Sequence, residues 1–294
     1  MRVVAIINPM SGAGLDPSIA TARVAMIGGE LKRRDIDHAI VVTERGGHAR
    51  EVAARAAADG TDLVIVWGGD GTVNEVGGAL AGSPTALGLI PAGSGNGLAA
   101  ALAVPREPMG AIAKALGDKT LAIDAGMLND RAFFNVAGIG FDAHIAMLFN
   151  QRTRGRRGKW PYIAIGVREG CSYVAQTYNV TLDGSSVRSR ALLIAFANGS
   201  EYGMGVTIAP QAQLNDGQLD ACIVEDRPVV SRFLHARHLA LGTIQRAPRL
   251  VMASVRQASV ETDGDIIYHV DGEPGLARSR VDITVRPGAL RVKV

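Results

Sequence analysis

The first 105 residues repeat one unit: an apolar, β-branched run, then a turn rich in glycine, then a helical stretch. The first copy has residues 3–7, the turn Asn8-Pro9-Met10-Ser11-Gly12-Ala13-Gly14, and a helix expected over about 17–34. The second has residues 39–43, ending at Thr43, and turns at Gly46-Gly47 into a helix that stops near 58. The third has residues 63–67, the turn Gly68-Gly69-Asp70-Gly71-Thr72, and a helix through about 80. The fourth has residues 86–90, the turn Pro91-Ala92-Gly93-Ser94-Gly95-Asn96-Gly97, and a short helix over 98–103. Strands that are apolar at every position need cover on both faces. Alternating with helices, they predict a parallel α/β sheet for this half.

Near Asp124 the pattern changes. Short segments follow at 133–136, 178–182, 190–196, 219–224, 254–261, 265–270, 281–285 and 289–294. Asp-Gly pairs stand at 183–184, 216–217, 263–264 and 271–272, and Asp-Gly is a strong hairpin signal. This half is expected to be an antiparallel β-sandwich, with Asp263-Gly264 turning an ordinary hairpin. One helix is expected over 228–246, and Gly166 and Gly170 weigh against a helix over 160–171.

Glycine makes up 36 of the 294 residues, against about 7% in an average chain. No repeat or low-complexity tract accounts for the excess, which places these residues in turns and where backbone meets a ligand. Cys171 and Cys222 are too few for a disulfide framework or a thiolate zinc site. They fit a reduced, cytoplasmic setting. The first apolar run is too short for a signal-peptide core, and no run reaches the roughly 20 apolar residues of a spanning helix. A net charge of +3 gives no argument for nucleic acid.

In parallel α/β sheets ligands bind at the carboxyl ends of the strands. Three glycine turns lie at those ends, each opening a helix whose first N–H groups attract anions. A single such turn is explained by chain reversal alone; three on one edge point to a phosphate-bearing ligand. A Walker A loop is absent: Gly158-Lys159 is followed by Trp160, with no glycine five residues before Gly158. The dinucleotide fingerprint is absent too, since Gly69-Asp70-Gly71 runs on to Asn74 and Gly93-Ser94-Gly95 to Leu98. A carboxylate inside a phosphate loop repels phosphate. Asp70 therefore belongs with a bridging divalent cation, a water or a reacting hydroxyl, or else caps a helix.

Together these residues resemble the diacylglycerol kinase catalytic family, which includes bacterial lipid kinases, sphingosine kinases and ceramide kinases. The resemblance rests on Asn8-Pro9 with Ser11-Gly12, on Gly68-Gly69-Asp70-Gly71-Thr72 with Asn74-Glu75, and on Pro91-Ala92-Gly93-Ser94-Gly95-Asn96. It extends through Gly138-Ile139-Gly140-Phe141-Asp142-Ala143 to Val270-Asp271-Gly272-Glu273. The Gly-Gly-Asp-Gly element alone is shared with NAD kinases and phosphofructokinases; the ordered set is far more specific. Gly97 stands where bacterial members often have aspartate, nearer the sphingosine kinase pattern.

The resemblance implies α/β followed by β. Residues 1–124 would form an NAD kinase-like, Rossmann-like parallel α/β domain that binds nucleotide. Residues 125–294 would form an antiparallel β-sandwich that takes the lipid, with the last few residues able to return to the first domain. It implies ATP and Mg2+, and a lipid hydroxyl that accepts the γ-phosphoryl group. Asn8, Pro9, Ser11, Gly12, Gly14, Thr43, Gly68, Gly69, Asp70, Gly71, Thr72, Asn74, Glu75, Gly93, Ser94, Gly95 and Asn96 would hold nucleotide and phosphates. Asp271 or Glu273 would supply the base, meeting Asp70 across a cleft, although an Asp-Gly pair between strands is also an ordinary turn. By the same analogy Asp216, with the carbonyls of Gln213 and Gln218, would hold a structural magnesium, or would form a plain turn.

Arg152, Arg154, Arg156, Arg157 and Lys159, followed by Trp160 and Tyr162, suit transient contact with an anionic membrane surface or a solvated loop. The six histidines follow no zinc pattern. The leading expectation is a cytoplasmic, ATP-dependent lipid kinase, with peripheral membrane contact left open. The alternatives are an NAD kinase-like enzyme of small molecules and a catalytically silent regulator that binds nucleotide or lipid. Oligomeric state leaves no trace in the sequence, and a homodimer is compatible with it.

Overall fold

The computed structural model describes residues 1–12, 17–152, 159–202, 206–226, 228, 232, 237–238, 241, 243–246 and 250–294. The chain divides into two compact units, residues 1–123 with 288–294, and residues 124–287.

The first unit is built on four strands, β1 (Arg2–Ile7), β2 (Asp37–Val42), β3 (Leu63–Gly68) and β4 (Ala86–Pro91). They pair in parallel in the order β2-β1-β3-β4. Their crossovers carry α1 (Pro17–Arg33), α2 (His48–Ala58) and α3 (Asp70–Leu80), while α4 (Gly97–Ala101) and α5 (Pro108–Ala115) follow β4. Every residue of β3 is buried, whereas edge strand β2 is only partly covered. That contrast accounts for their different sequences: an interior strand of a doubly covered sheet has no solvent face on which to place polar residues. Each fully buried valine, leucine or isoleucine here contributes about 1.5–3 kcal/mol. Helix α5 starts where its sequence dictates. Glu107 caps it by accepting from the Met109 and Gly110 amides, and Pro108 occupies its first turn. The chain's last residues join this unit. Val292 pairs in parallel with Leu87, and Leu290 and Val292 are fully buried.

The second unit is antiparallel. Its elements are the end of β5 (Thr120–Leu128), β6 (Arg131–Phe133), β7 (Val136–Gly140), α6 (Phe141–Arg152), α7 (Lys159–Ser172), β8 (Gln176–Leu182), β9 (Ser185–Ala197), β10 (Leu219–Glu225), β11 (Leu250–Val255), β12 (Gln257–Val270) and most of β13 (Glu273–Lys293). Strand β9 pairs with β10 along one edge and with β7 and β8 along the other, and both of these pair with β12. Two apolar clusters cover opposite faces. One gathers Phe133, Val180, Phe196, Val260 and Ile283; the other gathers Ala195, Ile208, Cys222 and Ile244. Burial pushes the Cys222 thiol up to about 12, so this residue acts as core.

Two expectations are corrected. Asp263-Gly264 is not a hairpin turn: it lies inside β12, where the register against β13 shifts between Glu261 and Asp265. Glu261 faces Arg280 and Asp265 faces Arg278, so the extra residues form a bulge and the two segments at 254–261 and 265–270 merge. Residues 159–172 form helix α7 despite Gly166 and Gly170, each costing about 1 kcal/mol relative to alanine. Packing against α6 offsets that cost. Phe141 meets Tyr173 edge-on at 5.2 Å, and His144 contacts both Tyr173 and Glu169. The helix expected over 228–246 falls largely outside the described residues, although Ile244–Arg246 form a 3-10 turn.

Candidate functional site

In the first unit the glycine turns converge at the carboxyl edge of the parallel sheet and lock onto one another. The Asn8 side-chain amide donates to Thr72 Oγ1 at 2.8 Å, tying the turn after β1 to the first turn of α3. The Asn8 carboxamide oxygen accepts from the Met10 amide, and the Ser11 hydroxyl donates to the Asn8 carbonyl. Thr43 follows β2, its amide donating to the Ile7 carbonyl at 2.8 Å. Beneath the first turn lies Arg23, buried on the core stripe of α1 four residues before Ile27. Its guanidinium donates to the Asn8 and Ser11 carbonyls and sits 5.5 Å from the centre of the Trp67 ring. Sequence reasoning missed Arg23. The available signal was a charge at a helical core position.

The turns after β3 and β4 touch backbone to backbone. A Cβ on Gly69 would lie 3.1 Å from Gly93 Cα, and one on Gly93 would lie 2.7 Å from Gly69 Cα. Gly93→Ala is therefore expected to lower stability by about 1–3 kcal/mol, read from the urea midpoint. An unchanged midpoint would mean that the two turns have slack. Asn96 stands at φ 55°, a conformation asparagine tolerates. Its side chain accepts from the Gly93 amide and donates to the Gly93 carbonyl.

Asp70 accepts from the Asn96 amide at 2.7 Å and from the Gly97 amide at 2.8 Å. Through these two bonds it caps α4 across the edge. Both carboxylate oxygens are thereby engaged by backbone amides at the start of α4. Glu75 is committed elsewhere: its carboxylate accepts from the Gly47 and Arg50 amides at the start of α2. Ser94 is exposed beside these groups, and Gly14 lies outside the described residues.

The second unit carries the other candidates on the turn between β12 and β13. Asp271 and Gly272 have φ 48° and 84°, a two-residue turn with both φ positive. The Asp271 carboxylate accepts from three consecutive amides, Phe134 at 2.9 Å, Asn135 at 3.0 Å and Val136 at 3.1 Å. The Asp271 amide donates back to the Val136 carbonyl. Asn150 of α6 donates to the Gly272 carbonyl, and Arg131 donates to the Pro274 carbonyl while lying over the Tyr268 ring. The residues on both sides of Glu273 are thereby pinned, and Glu273 itself is exposed.

Behind the turn lies a buried group that sequence reasoning left unassigned. His269 is 4% exposed and Asp142 8%. His269 Nε2 lies 3.3 Å from Asp142 Oδ2, and the Tyr202 hydroxyl donates to the same oxygen at 2.8 Å. Only Asp142 carried a linear signal, in the segment Gly138 to Ala143.

At the proposed magnesium turn, the Gln218 amide donates to Asp216 Oδ1 and the Gly217 amide to Asp124 Oδ2. Asp216 is exposed there with one oxygen taken by the turn. Among the described residues no group of three or more His, Cys, Asp or Glu is placed to hold a metal ion. The basic segment 152–159 lies almost wholly outside the described residues. No described helix is long and apolar enough to cross a membrane.

Comparison with known proteins matches residues 2–128 to the diacylglycerol kinase catalytic domain and residues 135–294 to the YegS C-terminal NAD kinase beta sandwich-like domain. The chain is 30% identical over 293 residues to a protein of Cronobacter sakazakii named "Probable lipid kinase YegS-like", covering 97% of this chain and 94% of that one. It is 34% identical over 237 residues to a diacylglycerol kinase of Mycobacterium tuberculosis, covering 76% and 73% respectively. A crystal structure of a diacylglycerol kinase from Bacillus anthracis has the same fold, with a TM-score of 0.73 over 99% of this chain and 96% of that one, at 20% identity. The ordered glycine turns, the β-sandwich and these matches place the chain in the diacylglycerol kinase catalytic-domain family, in the group whose second domain is of the YegS type.

Proposed function

We propose that this chain is an ATP-dependent lipid kinase, with residues 1–124 and the returning C-terminus binding nucleotide and residues 125–294 receiving the lipid. The observation that carries this reading is the set of interlocked glycine turns at one sheet edge, Gly69 against Gly93 and Asn8 bonded to Thr72, where backbone without side chains allows a phosphate to come close. Asn8, Pro9, Ser11, Gly12 and Thr43 border the nucleotide, while Gly68 to Thr72, Asn74 and Gly93 to Asn96 border its phosphates. Glu75 contributes by fixing α2. Asp70 holds the turn at 93–97 beside the phosphates, where its negative charge suits a divalent cation bound with them. Magnesium, bound with ATP, supplies neutralisation of phosphate charge.

Of the two candidate bases, the bonding favours Glu273. Asp271 spends its carboxylate on three amides and acts as a positioning residue, whereas Glu273 faces solvent. Glu273 takes the proton of the lipid hydroxyl as its oxygen bonds to the γ-phosphorus. The bond from that phosphorus to the β–γ bridging oxygen breaks, and ADP leaves with the electron pair. Asp216 with Gln213 and Gln218 is kept as a structural cation turn, and segment 152–159 as the membrane contact.

The test is transfer of labelled γ-phosphate from ATP to diacylglycerol, a sphingoid base, phosphatidylglycerol and an isoprenoid alcohol in detergent micelles, with NAD as a further acceptor. Labelling of one lipid is expected, lost on chelation of magnesium and in Asp70→Asn. That substitution turns one oxygen into an amide that opposes a backbone donor. Labelling of NAD alone would replace this reading with a small-molecule kinase. ATP binding without labelling of any acceptor would replace it with a silent regulator.

A further inference from the structure

We infer that His269, held by Asp142 and Tyr202, is a positioning residue that sets the aim of the turn bearing Glu273; this rests on Glu273 being the base. The Gly272 amide donates to His269 Nδ1 at 3.3 Å. A backbone N–H can only donate, so Nδ1 is the unprotonated nitrogen. The ring proton of the neutral imidazole then sits on Nε2, which lies 3.3 Å from Asp142 Oδ2 and donates to it. A carboxylate that fixes the tautomer of an imidazole fixes the direction of its other nitrogen. Here that nitrogen meets the residue immediately before Glu273.

The surroundings are built for this contact. Asp142 is anchored in the first turn of α6 through the Ala143 amide at 2.8 Å, and its second oxygen also receives the Tyr202 hydroxyl. Across the ladder, His269 pairs with Gly138. A Cβ on Gly138 would overlap Asp142 Oδ2 and crowd His269 Nε2. The glycine is thus the gap through which imidazole and carboxylate reach each other. Helix α6 holds the turn a second time, through Asn150 and the Gly272 carbonyl. A histidine serving only as core filling requires neither the carboxylate partner nor the acceptor role at Nδ1.

The two nitrogens can be removed separately. In His269→Asn the side-chain oxygen stands near the position of Nδ1 and keeps an acceptor for Gly272, while the reach to Asp142 is lost. In His269→Gln the terminal amide reaches Asp142 and the acceptor for Gly272 is lost. Both variants shrink the side chain, asparagine more than glutamine, so a role in packing alone predicts the larger loss in His269→Asn, the reverse of the order expected here. The experiment measures kcat and KM for ATP and for the labelled lipid, the melting temperature, and deuterium uptake of the peptide spanning 268–274. Glu273→Gln is measured in parallel.

His269→Gln is expected to lose about 10- to 100-fold in kcat, with KM for ATP unchanged and faster exchange in the turn. His269→Asn is expected to recover most of that loss. Equal losses in the two variants, a larger loss in His269→Asn, or wild-type kcat in His269→Gln, would overturn the inference while leaving the base intact if Glu273→Gln is inactive. Full activity in Glu273→Gln would overturn both. Should either histidine variant fail to fold, Tyr202→Phe decides. It keeps the ring and removes one bond to Asp142, so a several-fold drop in kcat at an unchanged melting temperature supports the inference and wild-type kcat overturns it.

Discussion

Glu273→Gln lowers kcat for lipid phosphorylation by about 10²–10⁴, the usual contribution of a positioned acid or base, and leaves the fold untouched. The side chain is exposed, so its stability should stay within about 0.5 kcal/mol of wild type. ATP affinity is expected to be unchanged, because the turns assigned to nucleotide belong to the other unit. The substitution removes one charge and keeps the shape, and the pinned neighbours Gly272 and Pro274 hold the backbone in place. The loss should therefore appear in kcat, with KM for ATP constant. A variant retaining a third or more of wild-type kcat would locate proton removal elsewhere. It would also favour a loose transition state in which positioning suffices without a base.

The parts of this protein that were legible in its sequence are those decided locally. Residues 3–7 and 63–67 read as interior strands because two covered faces demand apolar side chains at every position. The glycine turns at 68–72 and 93–97 read as neighbours at one sheet edge because they recur at the same end of each unit, and there Gly69 does abut Gly93. What depends on distant partners was not legible. Asp183-Gly184 and Asp271-Gly272 turn hairpins, with positive φ at each residue. Asp263-Gly264, the same dipeptide, is a bulge, because the choice belongs to the register against β13. Helix α7 accommodates two glycines through distant residues, Phe141 and His144 of α6 at its end and Arg232, which donates to the Gly170 carbonyl. The roles of the carboxylates followed the same rule. Asp70, Asp271 and Glu273 are equivalent by residue type. They separate once the amides that occupy Asp70, 26 and 27 residues away, and those that occupy Asp271, 135–137 residues away, are known. His269 had no linear signal because its carboxylate partner is 127 residues distant.

Asp271→Ala should destabilise the second unit strongly, by about 3–5 kcal/mol. Three amides lose their acceptor together, each worth about 1–3 kcal/mol when left unpaired, less than additively because all three shared one carboxylate. Alanine also pays about 1–2 kcal/mol for the left-handed conformation that position 271 requires. Asp271→Asn separates the two contributions. Asparagine accepts positive φ as readily as aspartate, so its loss reports the hydrogen bonds alone and should be roughly half as large. Urea denaturation followed by fluorescence would rank wild type above Asp271→Asn and Asp271→Ala lowest. The amides freed are those of residues 134–136, and Asn135 also holds the Asn198 and Gly199 amides through its carbonyl. Damage should therefore spread from the turn to the end of β9, and deuterium uptake should rise there as well as at 268–274. If Asp271→Ala melted with wild type, its carboxylate would not be the pin of this turn. It would then regain its claim as a base, and the distinction drawn between Asp271 and Glu273 would collapse.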